Sequence, residues 1–357
     1  MSLPLGPYRS FSIPGEEITW AGECPWYKSY CFGTESGKVI FLVASEDGQP
    51  DVLSESKVSN EAINDVAFWK NLIGITTRSE VLVYRGPLSE AGLSLISGSL
   101  SGAHGIIATP RGRLLAPMGT EGLFCFDGEQ ASESLGWIDR PAQRVHNYYK
   151  VVYLGESHGN EILACATRAD GFTRIELDAA GANRVVSLSA PSVDLIDLCP
   201  LRSEEHPFAV AGLSLDRSLV FVRDILALSE ENPRRLRFDG LQGTPYSLLY
   251  AVGHLLLLTS AEIVIFPDLA SLFLDGEPLD HPIDAYHSPV QAVEAFIVSE
   301  RYLMVVTDEG VRVSEIHPVA LAGNGRVSPE GNLNVPVWTD TQEIPRPLPT
   351  KWASLVA

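Results

Sequence analysis

The chain has 357 residues and a formal net charge of −19, from 45 acidic and 26 basic side chains. At 45% hydrophobic and 20% charged residues it holds enough apolar material for a sizeable core, which excludes global disorder. The acidic excess repels phosphate backbones and excludes a general nucleic-acid platform; the densest basic cluster, Arg234, Arg235 and Arg237, is three charges.

Residues 1–13 show no basic stretch followed by an apolar run, so no secretory leader is expected. The most apolar run, 248–259, is far short of the ~20 residues a membrane helix needs. The expectation is a soluble, cytoplasmic chain with no membrane contact. The five cysteines, Cys24, Cys31, Cys125, Cys165 and Cys199, form no CxxC pair and read as buried free thiols.

Residues 8–13 (YRSFSI) alternate as a strand does. A unit then begins that recurs along the chain: a short apolar strand, a turn rich in Thr, Ser, acidic residues or Gly, and a second apolar strand. It appears at 29–43 (SYCFGTESGKVIFLV), 72–84 (LIGITTRSEVLVY), 114–126 (LLAPMGTEGLFCF) and 162–177 (ILACATRADGFTRIEL). It returns at 208–222 (FAVAGLSLDRSLVFV), 254–266 (HLLLLTSAEIVIF) and 302–314 (YLMVVTDEGVRVS). The second strands begin near Val39, Val81, Leu123, Thr173, Leu219, Ile263 and Val311, in steps of 42, 42, 50, 46, 44 and 48 residues.

A β-rich stretch precedes each copy, at 18–21, 63–69, 105–109, 145–153, 193–199, 246–252 and 291–297. These are the candidate innermost strands. Outer strands are expected at 93–96, 185–188 and 235–238, and single helical turns at 224–230 and 268–273. A period in the mid-forties is the length of one four-stranded propeller blade. The first strands of each unit are apolar at nearly every position, so they must be buried on both faces. The fold class expected is therefore all-β: a seven-bladed β-propeller of four-stranded antiparallel blades. Residues 1–339 form one domain, with 8–13 as the outer strand of the last blade, closing the ring. Residues 340–357 form a Pro-rich tail that lies along the propeller surface or, in the alternative reading, is an exposed docking peptide anchored by Trp352 and Leu355.

Over residues 18–316 this hairpin pattern and spacing resemble the seven-bladed propellers of the WD40 type. The signature dipeptides are missing: no copy ends in Trp-Asp, and Gly-His is only approximated by Gly102-Ala103-His104.

Motifs for chemistry are poorly placed. Gly155-Glu156-Ser157-His158-Gly159 fits the G-x-S-x-G nucleophile pattern, but that chemistry needs a helix after the turn, and 162–167 is strand-like. Gly33-Thr34-Glu35-Ser36-Gly37-Lys38 resembles a phosphate loop yet leads into a strand, so it reads as a hairpin turn. Eight scattered histidines show no metal spacing on a helix. The turns carry Glu35, Glu121, Asp170, Asp216, Glu262 and Asp308, a ring able to hold a cation in a metal-dependent propeller enzyme of lactonase or lyase-like hydrolase type. Arg78 and Arg168 interrupt that ring. The expected reading assigns no catalytic residue, no metal and no cofactor.

A propeller is a rigid scaffold with variable loops, which suits recognition because little entropy is lost on docking. The expected function is a non-catalytic protein-interaction scaffold or adaptor, a monomeric propeller serving as a subunit of a multiprotein complex. Its partner is another protein or peptide, basic in charge, and not nucleic acid. Candidate protein-binding residues are Glu35, Arg78, Glu121, Arg168, Asp216 and Asp308 in the turns, His104, His146, Tyr148 and Tyr149 near the starts of inner strands, and Trp352 in the tail.

Overall fold

A computed structural model of the chain describes residues 5–6, 8–26, 29–44, 50–86, 93–99, 103–128, 135–138, 147–168, 171–179, 183–187, 193–228, 233–238, 241–267, 269–275, 283–298, 300–317, 325–327 and 333–334. The tail, with Trp352 and Leu355, lies outside the described residues, as do His146 and Asp170.

Strand β1 (Arg9–Phe11) leads. Next come β2 (Ile18–Cys24), β3 (Ser29–Thr34), β4 (Lys38–Ala44) and β5 (Pro50–Lys57), then β6 (Asp65–Trp69), β7 (Leu72–Thr76), β8 (Val81–Arg85) and β9 (Ser94–Ser99). The third group is β10 (Ile107–Ala108), β11 (Arg113–Pro117), β12 (Leu123–Asp127) and β13 (Leu135–Ile138); the fourth is β14 (Asn147–Ser157), β15 (Asn160–Arg168), β16 (Gly171–Leu177) and β17 (Asn183–Ser187). The fifth is β18 (Leu195–Pro200), β19 (Val210–Ser214), β20 (Ser218–Val222) and β21 (Arg234–Arg237), and the sixth β22 (Pro245–Ala251), β23 (His254–Thr259), β24 (Ile263–Phe266) and β25 (Ile283–Ser288). Last are β26 (Glu294–Val298), β27 (Tyr302–Thr307), β28 (Gly310–Glu315), β29 (Gly325–Val327) and β30 (Leu333–Asn334).

Each group pairs in sequence order as one antiparallel sheet, and β1 fills the fourth place of the last, in the order β1-β28-β27-β26. Arg9 stands opposite Val313 and Phe11 opposite Val311. The fold is an all-β, seven-bladed β-propeller with an N-terminal strand completing its last blade, as the repeat implies. Blade 1 is β2–β5, and blade 7 is β26–β28 with β1. Inner, second and third strands fall where the periodicity puts them. Outer strands β5, β13 and β25 were not among those expected. β5 (PDVLSESK) is largely polar, because an outer strand packs on one face and needs no apolar run. A further departure is the hairpin β29–β30, which extends the sixth sheet beyond β25.

The described residues divide into two compact units: β1–β13 with β26–β28, and β14–β25 with β29 and β30. Within each, the core is sheet on sheet. In the four-blade unit, Phe32, Ile40 and Tyr30 of blade 1 pack with Met304 and Val313 of blade 7. Phe41 and Cys31 meet Ile73, Ile75 and Tyr84 of blade 2. In the three-blade unit, Phe172 and Ala164 of blade 4 meet Leu195 and Val220 of blade 5. Burying each of the Phe, Ile, Leu, Val and Met side chains among them contributes roughly 1.5–3 kcal/mol.

Polar ties join neighbouring blades at two levels. From the inner strands, Thr19 Oγ1 donates to Ile63 O at 2.7 Å, and Asp65 Oδ2 accepts the Ile106 N–H at 2.9 Å. Asp197 Oδ2 likewise accepts Leu248 N at 2.7 Å and Ser247 Oγ at 2.9 Å. At the opposite ends of the strands, the indole N–H of Trp26 donates to Lys70 O, and that of Trp69 donates to Pro110 O at 3.2 Å.

In the three-blade unit the two expected helical turns take over that position. The 3₁₀ turn Ile225–Ala227, capped by Asp224, offers its Ile225 carbonyl to Arg174 of blade 4 at 3.1 Å. Helix α1 (Leu269–Leu274) stacks Phe273 on Phe221, and Arg234 lies 4.7 Å from the Phe273 ring centroid.

Candidate functional site

In a four-stranded antiparallel blade, the hairpin between the second and third strands shares one end with the connection arriving from the preceding blade. Hydrogen bonds show the two joined. In blade 1, Glu35 N donates to Glu17 O at 2.9 Å, and Val58 N, in the connection leaving the blade, donates to Gly37 O at 3.0 Å. In blade 2, Glu61 of the connection takes Ser79 N at 2.9 Å and Thr77 Oγ1 at 3.0 Å, while Ser59 Oγ donates to Glu80 at 2.7 Å. Blade 5 joins Leu215 N to Asp194 O at 3.0 Å, and blade 6 joins Gln242 N to Glu262 Oε1 at 3.0 Å. The turns are thus fixed at their bases, with their tips in solvent.

In the four-blade unit this surface is acidic. Glu35, Arg78, Glu121 and Asp308 are exposed at the turn tips, as expected. His104 is exposed in the connection to blade 3, its N–H donating to Pro117 O at 3.0 Å. Glu17 and Glu309 are also exposed, with Glu16, Glu61 and Glu80 half-buried beside them. The connection glutamates were missed in the sequence, although their position just before or within the approach to each inner strand marks them. Lys38 pairs with Glu16 at 2.7 Å, and hydrogen bonds from Lys38 and then Ser36 hold the Glu16 carboxyl below its ordinary value. Ser79 first, and then Thr77, do the same for Glu61.

In the three-blade unit the expected residues part company. Arg168 is exposed, its guanidinium 5.7 Å from the half-buried ring of Tyr149. Asp216 is exposed and paired with Arg235. Tyr148 is a correction: it is fully buried in β14, just before a register shift that skips Tyr149 and leaves that ring half-buried, so it offers no contact surface. Glu262 is a second correction. It is buried and bonded to His287 Nδ1 at 2.8 Å, so it does not stand in an acidic ring.

The chemistry-like motifs resolve as hairpins. β14 runs through Gly155 to Ser157 and turns back at His158 and Gly159, whose φ values of 51° and 80° fit a tight two-residue turn. No helix follows Ser157. Gly33–Lys38 is the β3–β4 turn. Among the described residues, no group of three His, Cys, Asp or Glu is placed to hold a metal ion, and no helix is long and apolar enough to cross a membrane.

No family model matches the chain, and no curated protein matches it. Solved structures do. Saccharomyces cerevisiae Sqt1 is 12% identical, with a TM-score of 0.61 over 89% of this chain and 100% of that one. The β-propeller domain of Myceliophteria thermophila Cps50 (Swd1) is 10% identical, with a TM-score of 0.58 over 87% of this chain and 100% of that one. At such identities the likeness is one of fold, and the fold is a seven-bladed β-propeller.

Proposed function

We propose that the chain is a non-catalytic interaction scaffold in the cytoplasm, a subunit of a multiprotein complex that takes a basic partner on its turn surface. The observation that carries this reading is the four-blade unit's acidic turn end. There Glu35, Glu121 and Asp308 project from turns whose bases are hydrogen-bonded to neighbouring connections. Rigid, pre-positioned carboxylates steer and hold cationic groups at little entropic cost.

The test is affinity purification of the tagged chain beside its E35K/E121K/D308K variant. The wild type should retain a basic protein that the variant, melting at the same temperature, loses. Retention of the same partners by the variant would refute the assignment. Elemental analysis addresses the metal-dependent hydrolase alternative, which one equivalent of tightly held Ca²⁺ or Zn²⁺ would favour.

A further inference from the structure

Blade 5 departs from the acidic pattern at one corner. Its turn from Ser214 to Ser218 repeats the blade 1 turn from Thr34 to Lys38 bond for bond. Arg217 N donates to Ser214 O at 3.0 Å, as Gly37 N does to Thr34 O at 3.0 Å. Phe238 N donates to Arg217 O at 3.0 Å, as Val58 N does to Gly37 O. The position needs a left-handed backbone. Gly37 supplies φ +78°, and Gly122, Gly171 and Gly310 serve the corresponding hairpins of blades 3, 4 and 7 at 100°, 68° and 125°. Arg217 adopts φ +65° there. A side chain in that region costs stability that glycine avoids, so this hairpin carries an arginine where its counterparts in blades 1, 3, 4 and 7 carry glycine.

The neighbouring outer strand supplies two more guanidinium groups. Arg235 and Arg237 are exposed on β21 while Leu236 between them is buried. Arg237 stands opposite Ser218, the residue after Arg217. At the turn tip Leu215 is 48% exposed, where blade 1 carries Glu35. Asp216 pairs with Arg235. Its partial burial would raise its pKa, but the hydroxyls of Ser218 and Ser214 and the charges of Arg235 and Arg237 outweigh that and keep it below the ordinary value.

We propose that this corner binds an extended acidic peptide segment carrying one large aliphatic residue. Alternate residues of an extended chain repeat every ~6.6–6.8 Å, the spacing of Arg235 and Arg237 along β21. Carboxylates two apart therefore lie against both guanidinium groups as charge-assisted pairs, the one at Arg235 sharing it with Asp216. Arg217 takes a third carboxylate, and the aliphatic side chain covers Leu215. A phosphate backbone satisfies the arginines but leaves Leu215 in water. Screening over ~8–10 Å lets this local positive patch act despite the acidic whole. The site is opposite in sign to the turn surface of the proposed function, and the two stand or fall separately.

The experiment is fluorescence anisotropy at about 0.15 M salt with a labelled Glu-Ser-Glu-Ser-Leu-Ser-Glu peptide, whose carboxylates and Leu share one face, its Gln-for-Glu counterpart and a dodecamer of deoxythymidine. The acidic peptide should bind saturably, and R235E/R237E should weaken it by about tenfold or more. L215S and R217G should each weaken it by about threefold, R217G without loss of thermal stability. Equal binding by R235E/R237E, tighter binding of the oligonucleotide than of the peptide, or no saturable binding up to about 1 mM would overturn the proposal.

Discussion

The indole of Trp26 occupies the space that a side chain on Gly86 would need: a Cβ there would stand 2.7 Å from the ring. Trp26 belongs to blade 1 and Gly86 follows the third strand of blade 2. The ring is held by its N–H bond to Lys70 O and by Phe68, edge-on at 5.3 Å. One blade on, Trp69 repeats the arrangement, with a Cβ on Gly128 falling 3.0 Å from its ring. Gly86→Ala should therefore cost about 1–3 kcal/mol in urea denaturation. Combined with Trp26→Phe, whose smaller ring yields space, the double variant should lose about 1 kcal/mol less than the two single losses together. Simple additivity would show that the contact is not what forbids a side chain at residue 86.

The pairing of β1 with β28, backed by buried Leu5 bridging to Ile316, makes the N-terminal segment part of the last blade. Deleting residues 1–14 should lower the melting temperature by about 5 °C or more, since each 1 kcal/mol shifts Tm by roughly 2–4 °C in domains of 150–250 residues. An unchanged melting curve would contradict this.

Val252 sits in the β22–β23 turn at φ +54°, a conformation that a β-branched side chain resists. Gly253 follows at φ +83°, so Val252→Asn creates the Asn-Gly pair favoured in such hairpins. The substitution should stabilise the chain by about 1 kcal/mol, read as a higher denaturation midpoint.

Asp197 is buried and holds Ser247 and Leu248 of the next blade. Asp197→Ala strands those donors and should cost about 3 kcal/mol; Asp197→Asn keeps an acceptor and should cost less. Equal losses would mean that the charge, and not the acceptor, matters.

The Glu16 carboxyl lies below its ordinary pKa because of Lys38 and then Ser36. A depressed carboxylate stabilises the fold above its unfolded pKa, and that contribution disappears as pH falls through the folded value. Glu16→Gln should therefore melt below wild type at pH 7, with the gap closing as pH falls through the depressed folded value and narrowing in high salt. A gap that persists in acid would point to packing instead of charge.

The second and third strands were legible because burial on both faces forces an apolar residue at nearly every position, as in LLLL of β23; inner strands such as β14 and β26 are only partly buried, and their place before each hairpin marked them. Outer strands carry no such signature, so PDVLSESK of β5 passed as a connection. The turn tips Glu35, Arg78, Glu121 and Asp308 were legible because hairpin chemistry and exposure coincide there. Tyr148 was misjudged because composition does not say which of two neighbouring tyrosines is inward, nor that the register shifts between Tyr148 and Lys150. Glu262 needed a partner from the adjacent outer strand, His287, 25 residues on in the sequence, to turn it in. The arginine corner of blade 5 was visible only as three charges; its meaning depends on Arg217 taking a glycine's place, which emerges when the turns are superposed by their hydrogen bonds.

β1 and β28 are separated by about 300 residues of chain, so closing that loop costs on the order of 5 kcal/mol of chain entropy before any pairing gain. During synthesis β1 emerges early and then waits, an unpaired edge, until β28 exists. The last blade is therefore assembled last from both ends, and refolding should show its slowest phase there. Until that moment β28 offers an unpaired edge on which a β1 from a neighbouring copy competes with its own.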